Sequence, residues 1–323
     1  MTAIAYHGTV NDLPSCDLAG KGPFVRPSWF ALLERAGQRP LLATVADERG
    51  AIALPLVEKA GRLDILSNWY AFTWSPLATP APPTSLYVDL ASQLGGHAVT
   101  LSKLTEQDAD RLEGAFRKAG WHVARDVCDT NHYLPVAGRS YAEYLAARPG
   151  PLRTTLKRKA KKVEVRLSRQ FDAADWSAYE HIYANSWKPE EGDPALLRAF
   201  AQQESEAGHY LFGMATAGGE PVAAQFWTVE QGTAYIHKLA HLESAQPLSP
   251  GTTLTAALME QVIDRDHVAE VDFGTGNDGY KADWMEATRP RFRLTCLRPG
   301  NPRNWPALAK QALRKLVSPI GAG

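Results

Sequence analysis

The sequence has few of the features that most directly reveal a function. Its three cysteines, Cys16, Cys128 and Cys296, stand far apart and lack the paired spacing of a metal site. Isolated thiols of this kind are typical of a reducing compartment, and nothing around them supports a nucleophilic cysteine. Lysine plus arginine and aspartate plus glutamate both number 35, so no overall charge excess favours nucleic acid as a partner.

Long apolar runs are also missing. No run approaches the roughly 20 residues of a membrane span, and the N-terminus, MTAIAYHGTVND, lacks the charged-then-apolar pattern of a secretory signal. We therefore expect a cytoplasmic protein without a transmembrane segment, and peripheral membrane contact stays open. With 45% hydrophobic and 22% charged residues, the composition is that of an ordinary globular protein, and a length of 323 residues favours two domains.

Two groups of short apolar segments repeat one layout of strands and turns. The first group covers residues 41–46, 52–57 and 63–66, and the second covers 211–217, 221–229 and 233–242. Adding 170 to the first numbers brings the groups nearly into register, so that Leu42 meets Phe212. We predict an α/β (α+β) fold of two lobes, residues 1–148 and 149–323. Each has a mixed sheet flanked by helices, near 24–135 and 165–298.

A basic segment joins the two lobes. Pro149, Gly150 and Pro151 mark a boundary, after which apolar residues recur at helical spacing, which predicts a linker helix over 151–163. Six cations lie within residues 153–162. Most charge runs are simply solvated helix faces. In a chain of zero net charge, however, this density favours a surface that faces an anion.

A strand–loop–helix junction follows the last segment of the second group. Ser249 suits the N-cap and Pro250 the first turn, Gly251 allows close approach to the backbone, and Thr252 and Thr253 complete the loop. Such a junction presents unpaired N–H groups to a phosphate, although Ser-Pro starts many helices that bind no ligand. The loop contains neither a Walker nor a dinucleotide fingerprint.

The first lobe has no such loop. Its third strand is followed by SNWYAFTWSPLATPAPP, which is aromatic and rich in proline. This composition suits packing or a substrate wall, to which Trp69 and Tyr70 would contribute. An anionic cosubstrate is therefore expected in the second lobe only.

The stretch AEVDFGTGNDGYKADWM, residues 269–285, carries the most unusual pattern. A short strand contains Asp272, three glycines follow within residues 274–279, and Tyr280 and Lys281 stand at the far side. Glycines let a backbone approach a ligand closely. The pattern is typical of an active-site loop.

Together these motifs resemble the Fem-related branch of the GNAT superfamily. The resemblance rests on PVAAQFWTVEQGTAYIHKLAHLESAQPLSPGTTL, VDFGTGNDGYKADW, RTTLKRKAKK, SWK, ALPL and SNWY, and it covers residues 24–300. It implies two tandem GNAT-like lobes in which an acyl donor meets an amine acceptor. Fem proteins proper take amino acids from aminoacyl-tRNA, whereas this branch is expected to use acyl-CoA or an acyl-carrier protein.

The resemblance implies an N-acyltransferase. The sequence shows neither a Ser-His-Asp constellation nor a nucleophile elbow, so direct attack in a ternary complex fits better than an acyl-enzyme. Such a reaction needs a neutral amine, a stabilised oxyanion and a proton for the leaving thiolate. Asp272 would orient or deprotonate the amine, Lys281 would stabilise the oxyanion or the donor phosphates, and Tyr280 would protonate the thiolate. The alternative is that Asp272 caps the loop, Tyr280 packs and Lys281 is solvated.

Further candidate residues surround this loop. His237 titrates near neutrality and is a candidate base, although strand histidines are more often packed. Gln225 would bind the acceptor or hydrogen-bond a neighbour. Trp187 and Lys188 would line the acceptor cleft, or Trp187 would belong to the core. Residues 249–253 would bind the cosubstrate, and neither a metal nor a permanently bound cofactor is expected.

The acceptor stays open among amino sugars, peptide amines, polyamines and sphingoid or other lipid amines, in envelope, polysaccharide or lipid biosynthesis. Two alternatives to an acyl-CoA-dependent transferase remain. One is a Fem-type transferase that uses aminoacyl-tRNA, for which no long helical insertion is visible. The other is a catalytically silent binding or scaffold protein of an envelope pathway.

Overall fold

The computed structural model describes residues 2–14, 18, 20–276 and 278–317, so Cys16 and Asn277 lie outside the described residues. The chain divides into two compact units. Unit 1 comprises residues 1–129 and 290–323, and unit 2 comprises residues 130–289.

The two units are built from strands and helices of ordinary length. The strands are β1 (Ala5–His7), β2 (Leu41–Asp47), β3 (Gly50–Lys59), β4 (Arg62–Ile65), β5 (Leu77–Ala78), β6 (Ala98–Leu104), β7 (His122–Pro135), β8 (Glu164–Ser168), β9 (Tyr210–Ala217), β10 (Glu220–Glu230), β11 (Thr233–His241), β12 (Glu270–Thr275) and β13 (Ala287–Leu297). The helices are α1 (Pro27–Arg35), α2 (Thr84–Gln93), α3 (Glu106–Lys118), α4 (Tyr141–Ala146), α5 (Gly150–Lys159), α6 (Ala173–Ala184), α7 (Pro194–Glu206), α8 (Pro250–Glu260), α9 (Tyr280–Trp284) and α10 (Trp305–Val317).

Unit 1 contains a mixed sheet in the order β1-β2-β3-β4-β6-β13, and β5 pairs with β3. All neighbours are antiparallel except β4 and β6, which run parallel. The strands are rich in Leu, Val, Ile and Ala, and the fully buried Leu42, Ile52 and Leu101 show that this apolar surface forms the core. Phe30 and Leu33 of α1 are also fully buried.

Unit 2 repeats this arrangement of strand directions. Its sheet has the order β8-β9-β10-β11-β12-β7, and only β11 and β12 are parallel. The meander β2-β3-β4 of unit 1 and the meander β9-β10-β11 of unit 2 fall on the two groups of segments that repeat in the sequence. The predicted fold class, mixed and mostly antiparallel sheets flanked by helices, is confirmed.

The bounds of the compact units differ from those of the predicted lobes. Strand β7 crosses from unit 1 into unit 2, where residues 131–135 pair with β12. Within unit 1, residues 292–297 of β13 pair with β6. Hydrogen bonding within each sheet therefore sets these bounds, whereas the Pro-Gly-Pro punctuation at residue 149 marks only the start of α5.

Two layers of helices cover the sheet of unit 2. Helix α8 packs on one face, where Leu254 and Leu258 are fully buried. A side chain added at Gly213 of β9 would lie 2.8 Å from Leu254, so glycine permits this close packing. Helices α6 and α7 cover the other face with Trp176 and Phe200.

The predicted linker helix is present with slightly different bounds. Helix α5 ends at Lys159 and a tighter turn, Ala160–Lys162, continues it. Leu152 and Leu156 are buried at its inner side. Across the part of the chain that the structure describes, every helix is too short or too polar to cross a membrane.

Candidate active site

A cavity opens in unit 2 where two parallel strands separate. Strands β11 and β12 pair only over Thr233–Tyr235 and Glu270–Asp272. Beyond Tyr235, β11 runs on to His241 without pairing with β12. We call the resulting opening the strand cavity. Its volume is about 440 Å³, and its walls are Leu152, Trp187, Leu239, His241, Glu243, Gln246, Ser249, Gly251, Thr252, Thr255, Phe273, Tyr280, Asp283 and Trp284.

The predicted Ser-Pro-Gly loop forms one end of this cavity, at the start of α8. Ser249 occupies the N-cap position, but its backbone is left-handed (φ 53°, ψ 48°) and its side chain caps no N–H group. The expected side-chain cap is therefore wrong, because an N-cap side chain normally acts from an extended backbone. The Ser249 hydroxyl instead accepts a hydrogen bond of 3.0 Å from Lys159 Nζ of α5.

The other loop residues divide between the cavity and the interior. Gly251 and Thr252 line the cavity, whereas Pro250 and Thr253 are buried. A Cβ atom added at Gly251 would lie 3.3 Å from His241 Nδ1. The missing side chain thus keeps the first turn of α8 open beside the imidazole. Pro250 has no N–H and the Thr253 N–H donates to the Ser249 carbonyl at 3.2 Å, so Gly251 and Thr252 supply the N–H groups that a ligand can reach.

The glycine-rich loop forms the opposite side. Gly274 and Gly276 have φ values of 68° and 104°, a conformation that favours glycine. Asp272 does not face the strand cavity. Its carboxylate accepts hydrogen bonds from Asn131 Nδ2 and the Gly274 N–H, both 2.7 Å, and from Arg289 at 2.9 Å. These contacts support the loop-capping alternative for Asp272.

Tyr280 and Lys281 lie on the short helix α9. Tyr280 lines the strand cavity with its ring edge-on to Phe273, and burial with the nearby Asp278 raises the pKa of its phenol to about 12. Lys281 is only 5% exposed, so the solvated alternative is wrong for this residue. Its ammonium donates to the carbonyl of Thr275 and lies 3.7 Å from the Asp278 carboxylate.

The predicted acceptor residues fall on different surfaces. Trp187 is half exposed in the wall of the strand cavity, and its ring lies 4.3 Å from that of His241. The neighbouring Lys188 lines a second opening of about 750 Å³ between α6 and α7, which we call the helix cavity. Burial, then the nearby Lys238, lowers the pKa of Lys188 to about 8.

Two of the predicted site residues, Gln225 and His237, form contacts within the fold of unit 2. Gln225 is buried and donates to Thr255 Oγ1 at 2.7 Å and to the Gly251 carbonyl at 3.2 Å, so it ties β10 to α8. His237 is skipped in the β10–β11 register, where Phe226 pairs with Lys238. The His237 ring packs on Phe226 and Phe200 and shares a 2.8 Å hydrogen bond with Thr228, which fits the packed alternative.

Trp69 and Tyr70 belong to unit 1, and all residues that line the strand cavity belong to unit 2. Their rings lie 4.5 Å apart, with Trp69 54% exposed and Tyr70 buried.

Several cavity residues were not predicted from the sequence, and His241 is the histidine among them. It stands at the end of β11, eight residues before Ser249. That position, at the end of a strand that leads into a helix start, was the available signal. Burial, then the positive charge of Lys188, lowers the pKa of its imidazole, so the ring is mainly neutral near pH 7.

Comparison with known proteins places the chain in a structural class. The family model described as the acetyltransferase (GNAT) domain matches residues 150–282. The crystal structure of FemX has a TM-score of 0.63 at 10% identity, covering 98% of this chain and 99% of that one. No curated protein matches the chain at a significant level.

Two further solved structures share the fold. One is the C-terminal domain of a putative lysylphosphatidylglycerol synthetase from Agrobacterium fabrum, with TM-score 0.57, 14% identity, and coverage of 91% and 93%. The other is L-PGS from Bacillus licheniformis, with TM-score 0.55, 11% identity, and coverage of 88% and 91%. At these identities the likeness concerns the fold. Residues 150–282 match the GNAT acetyltransferase domain, and the predicted resemblance to the Fem-related branch is confirmed at the level of the fold.

Proposed function

We propose that the protein is an N-acyltransferase that moves an acyl group from acyl-CoA to a primary amine. The observation that carries this proposal is the strand cavity, which runs from the separated ends of β11 and β12 to the open first turn of α8. A thioester donor has an apolar acyl arm and a phosphorylated end, and the cavity offers an environment for each.

The phosphorylated end of the donor would dock at the Ser-Pro-Gly loop. A helix N-terminus presents free N–H groups and partial positive charge to an anion. Lys159 adds a full positive charge, and no carboxylate of the described residues lies within ion-pair distance of its ammonium. The apolar side chains of Leu239 and Phe273 would line the path of the arm.

The chemistry would proceed by direct attack. The neutral amine attacks the thioester carbonyl, the N–C bond forms, and the tetrahedral oxyanion then expels the thiolate as the C–S bond breaks. Tyr280, held in its protonated form by its raised pKa, gives its proton to the thiolate and regains one from the attacking nitrogen. Lys281 would hold the loop that carries this tyrosine and supply positive charge near the oxyanion.

The acceptor would enter from the helix cavity. This cavity has aromatic and proline walls, including Tyr183 and Pro189. Lys188, in its wall, directly follows Trp187, which lines the strand cavity. Such walls suit an amine with an apolar or ring-shaped body, which keeps amino sugars and sphingoid amines among the candidates. We place the reaction in envelope, polysaccharide or lipid biosynthesis in the cytoplasm.

A basic surface on α5 supports a second candidate function, in which the donor is bound to a carrier protein or to tRNA. Arg153, Lys157, Arg158, Lys161 and Lys162 form what we call the basic face of α5 and its following turn. All five are exposed, and none forms an ion pair with a described residue. Because this face lies beside Lys159, it would also suit a donor carried on an acidic carrier protein or on tRNA.

The test is a comparison of acyl donors. The purified protein would be incubated with a mixed amine extract and, separately, acetyl-CoA, longer acyl-CoAs, acyl-carrier protein and aminoacyl-tRNA, and products would be identified by mass spectrometry. We expect an amide product with an acyl-CoA. A product with aminoacyl-tRNA alone would establish the alternative, and no product with any donor would favour a silent binding protein. A metabolite and lipid survey of a deletion strain would identify the acceptor.

A further inference from the structure

The imidazole of His241 lies where the donor phosphates would dock. Its Nδ1 atom faces Gly251 in the first turn of α8. A Cβ atom added at Gly251 would lie 3.3 Å from this nitrogen. Trp187 holds one side of the ring at a centroid distance of 4.3 Å. Neither ring nitrogen forms a hydrogen bond within the described part of the chain. The half-buried ring therefore has its polar atoms available to a ligand in the strand cavity.

The charged groups around this ring come from every neighbouring element. Lys188 lies close enough to repel a proton on the ring, and Glu243 attracts one. Tyr280 and Asp283 of α9 stand in the same cavity walls, and Lys159 reaches the cavity at Ser249. In the free protein, burial and Lys188 together lower the pKa of the imidazole, which favours its neutral form.

We propose that His241 is a ligand of the donor's diphosphate and that the donor binds together with one proton taken up by this imidazole. The inference rests on the proposed function, since it assumes a phosphorylated donor at the Ser-Pro-Gly loop. A diphosphate next to the ring adds negative charge within hydrogen-bond distance, which stabilises the imidazolium. The protonated ring then donates to a phosphate oxygen.

The sign of the pH dependence follows from this linkage. The free ring has a lowered pKa and the bound ring a raised one. Between these two values, binding consumes a proton, so the donor binds more tightly as the pH falls. The affinity changes by up to about tenfold per pH unit in that interval.

The probe is dephospho-CoA, which keeps the diphosphate but lacks the 3′-phosphate. A phosphate monoester has its second pKa near 6, so the 3′-phosphate of CoA would mask the titration of a histidine. Isothermal calorimetry at about pH 7, in two buffers of different ionisation enthalpy, measures proton uptake directly. A series from about pH 6 to about pH 8 measures the change in Kd.

We expect uptake approaching one proton per site and about tenfold tighter binding at the acid end of the series. His241→Gln should abolish the proton uptake at about pH 7 and weaken binding. Its Kd should be constant between about pH 6 and about pH 7, where Lys188, with a pKa of about 8, stays protonated. His181→Gln, which alters an exposed histidine of α6, is the matched control and should behave as the wild type. If His241→Gln does not fold, the imidazole of the wild type can be titrated by NMR with and without dephospho-CoA, and its pKa should rise on binding.

Two negative results would have different meanings for the role of His241 and for the proposed function. Binding of dephospho-CoA without proton uptake, or with uptake that survives in His241→Gln, overturns the role of His241 and leaves the proposed function standing. No binding of CoA or dephospho-CoA at any pH would overturn the acyl-CoA proposal, and the role of His241 with it.

Discussion

Asp272 lies within β12, and its carboxylate accepts hydrogen bonds from side-chain and backbone donors. Asn131 and the Gly274 backbone share one oxygen, and Arg289 donates to the other. Arg289 also pairs with Glu270 at 2.7 Å. This network fixes the start of the glycine-rich loop, and the side chain itself is only 3% exposed.

Replacing Asp272 with Asn should destabilise unit 2. The substitution removes the charge that faces Arg289 inside the protein, and breaking one partner of a buried pair is costly. Because Arg289 keeps Glu270, we expect a loss of about 2–3 kcal/mol, or roughly 5–10 °C in Tm. Thermal unfolding followed by circular dichroism measures the change.

Arg166→Gln is the control for this substitution. It breaks an ion pair with Asp175 whose arginine is 61% exposed, and exposed pairs contribute little. Equal Tm values for Asp272→Asn and the wild type would show that the network does not stabilise the unit.

Lys281→Met should lower kcat with little effect on donor binding. The methionine keeps much of the apolar contact of the lysine stem, but the bond to Thr275 and the positive charge are lost. Charge that acts on a developing oxyanion affects the transition state, and its loss costs on the order of 10²–10³ in rate. Steady-state kinetics with the identified acceptor make the measurement. A raised KM for the donor with unchanged kcat would instead make Lys281 a phosphate contact.

At the residue scale, the predicted site residues divide into those that share one cavity and those that form contacts within the fold. Tyr280, Trp187, Ser249, Gly251 and Thr252 all line the strand cavity, as a site at that loop requires. The contacts of Asp272, His237 and Gln225 depend on neighbours distant in sequence, such as Asn131 for Asp272. Spacing along the chain contains no information on those neighbours.

At the scale of elements, the separation of β11 from β12 and the position of α5 define the site. The sequence predicted three of these elements from local patterns. Hydrophobic periodicity indicated the meander and the linker helix, and capping residues indicated the helix start at Pro250. The pairing of β7 with β12 and of β13 with β6 was not predictable, since these partners are far apart in sequence and their strands resemble any other apolar run.

The basic face of α5 should strengthen donor binding through its electric field. Changing Lys157, Arg158 and Lys161 to Gln removes three exposed cations close to Lys159, and we expect Kd for CoA to rise about three- to tenfold at low salt. The difference should vanish near 1 M salt, where the Debye length is about 3 Å. Calorimetry at several salt concentrations measures both effects.

A matched variant removes the same charge elsewhere. Lys59, Arg62 and Lys118 are exposed residues of unit 1, and their change to Gln should leave Kd unaltered. If both triple variants weaken binding equally, net charge is responsible and the basic face has no special role.

At the scale of the whole molecule, the two units share an order of strand directions but differ after the third strand of the meander. In unit 2, β11 leads through a short turn, Glu243–Leu248, to the Ser-Pro-Gly start of α8. In unit 1, the chain after β4 runs through residues 66–83 to α2, whose N-cap is Pro83. A duplicated fold would thus carry one donor site, in unit 2.

The most direct test of this account is a calorimetric titration of the protein with CoA, for the wild type and for Gly251→Val. The backbone at Gly251 is not left-handed, so valine is compatible with the helix, but its side chain would meet His241 and fill the first turn of α8. The added side chain would occupy the space in which the donor phosphates approach the N–H groups, so affinity should fall by about tenfold or more, which corresponds to about 1.4 kcal/mol. Gly114→Val, at a helical glycine of α3 with open space around it, is the control. The account predicts one site per chain, weakened by Gly251→Val alone. Two sites per chain, or unchanged affinity in a folded Gly251→Val variant, would contradict it.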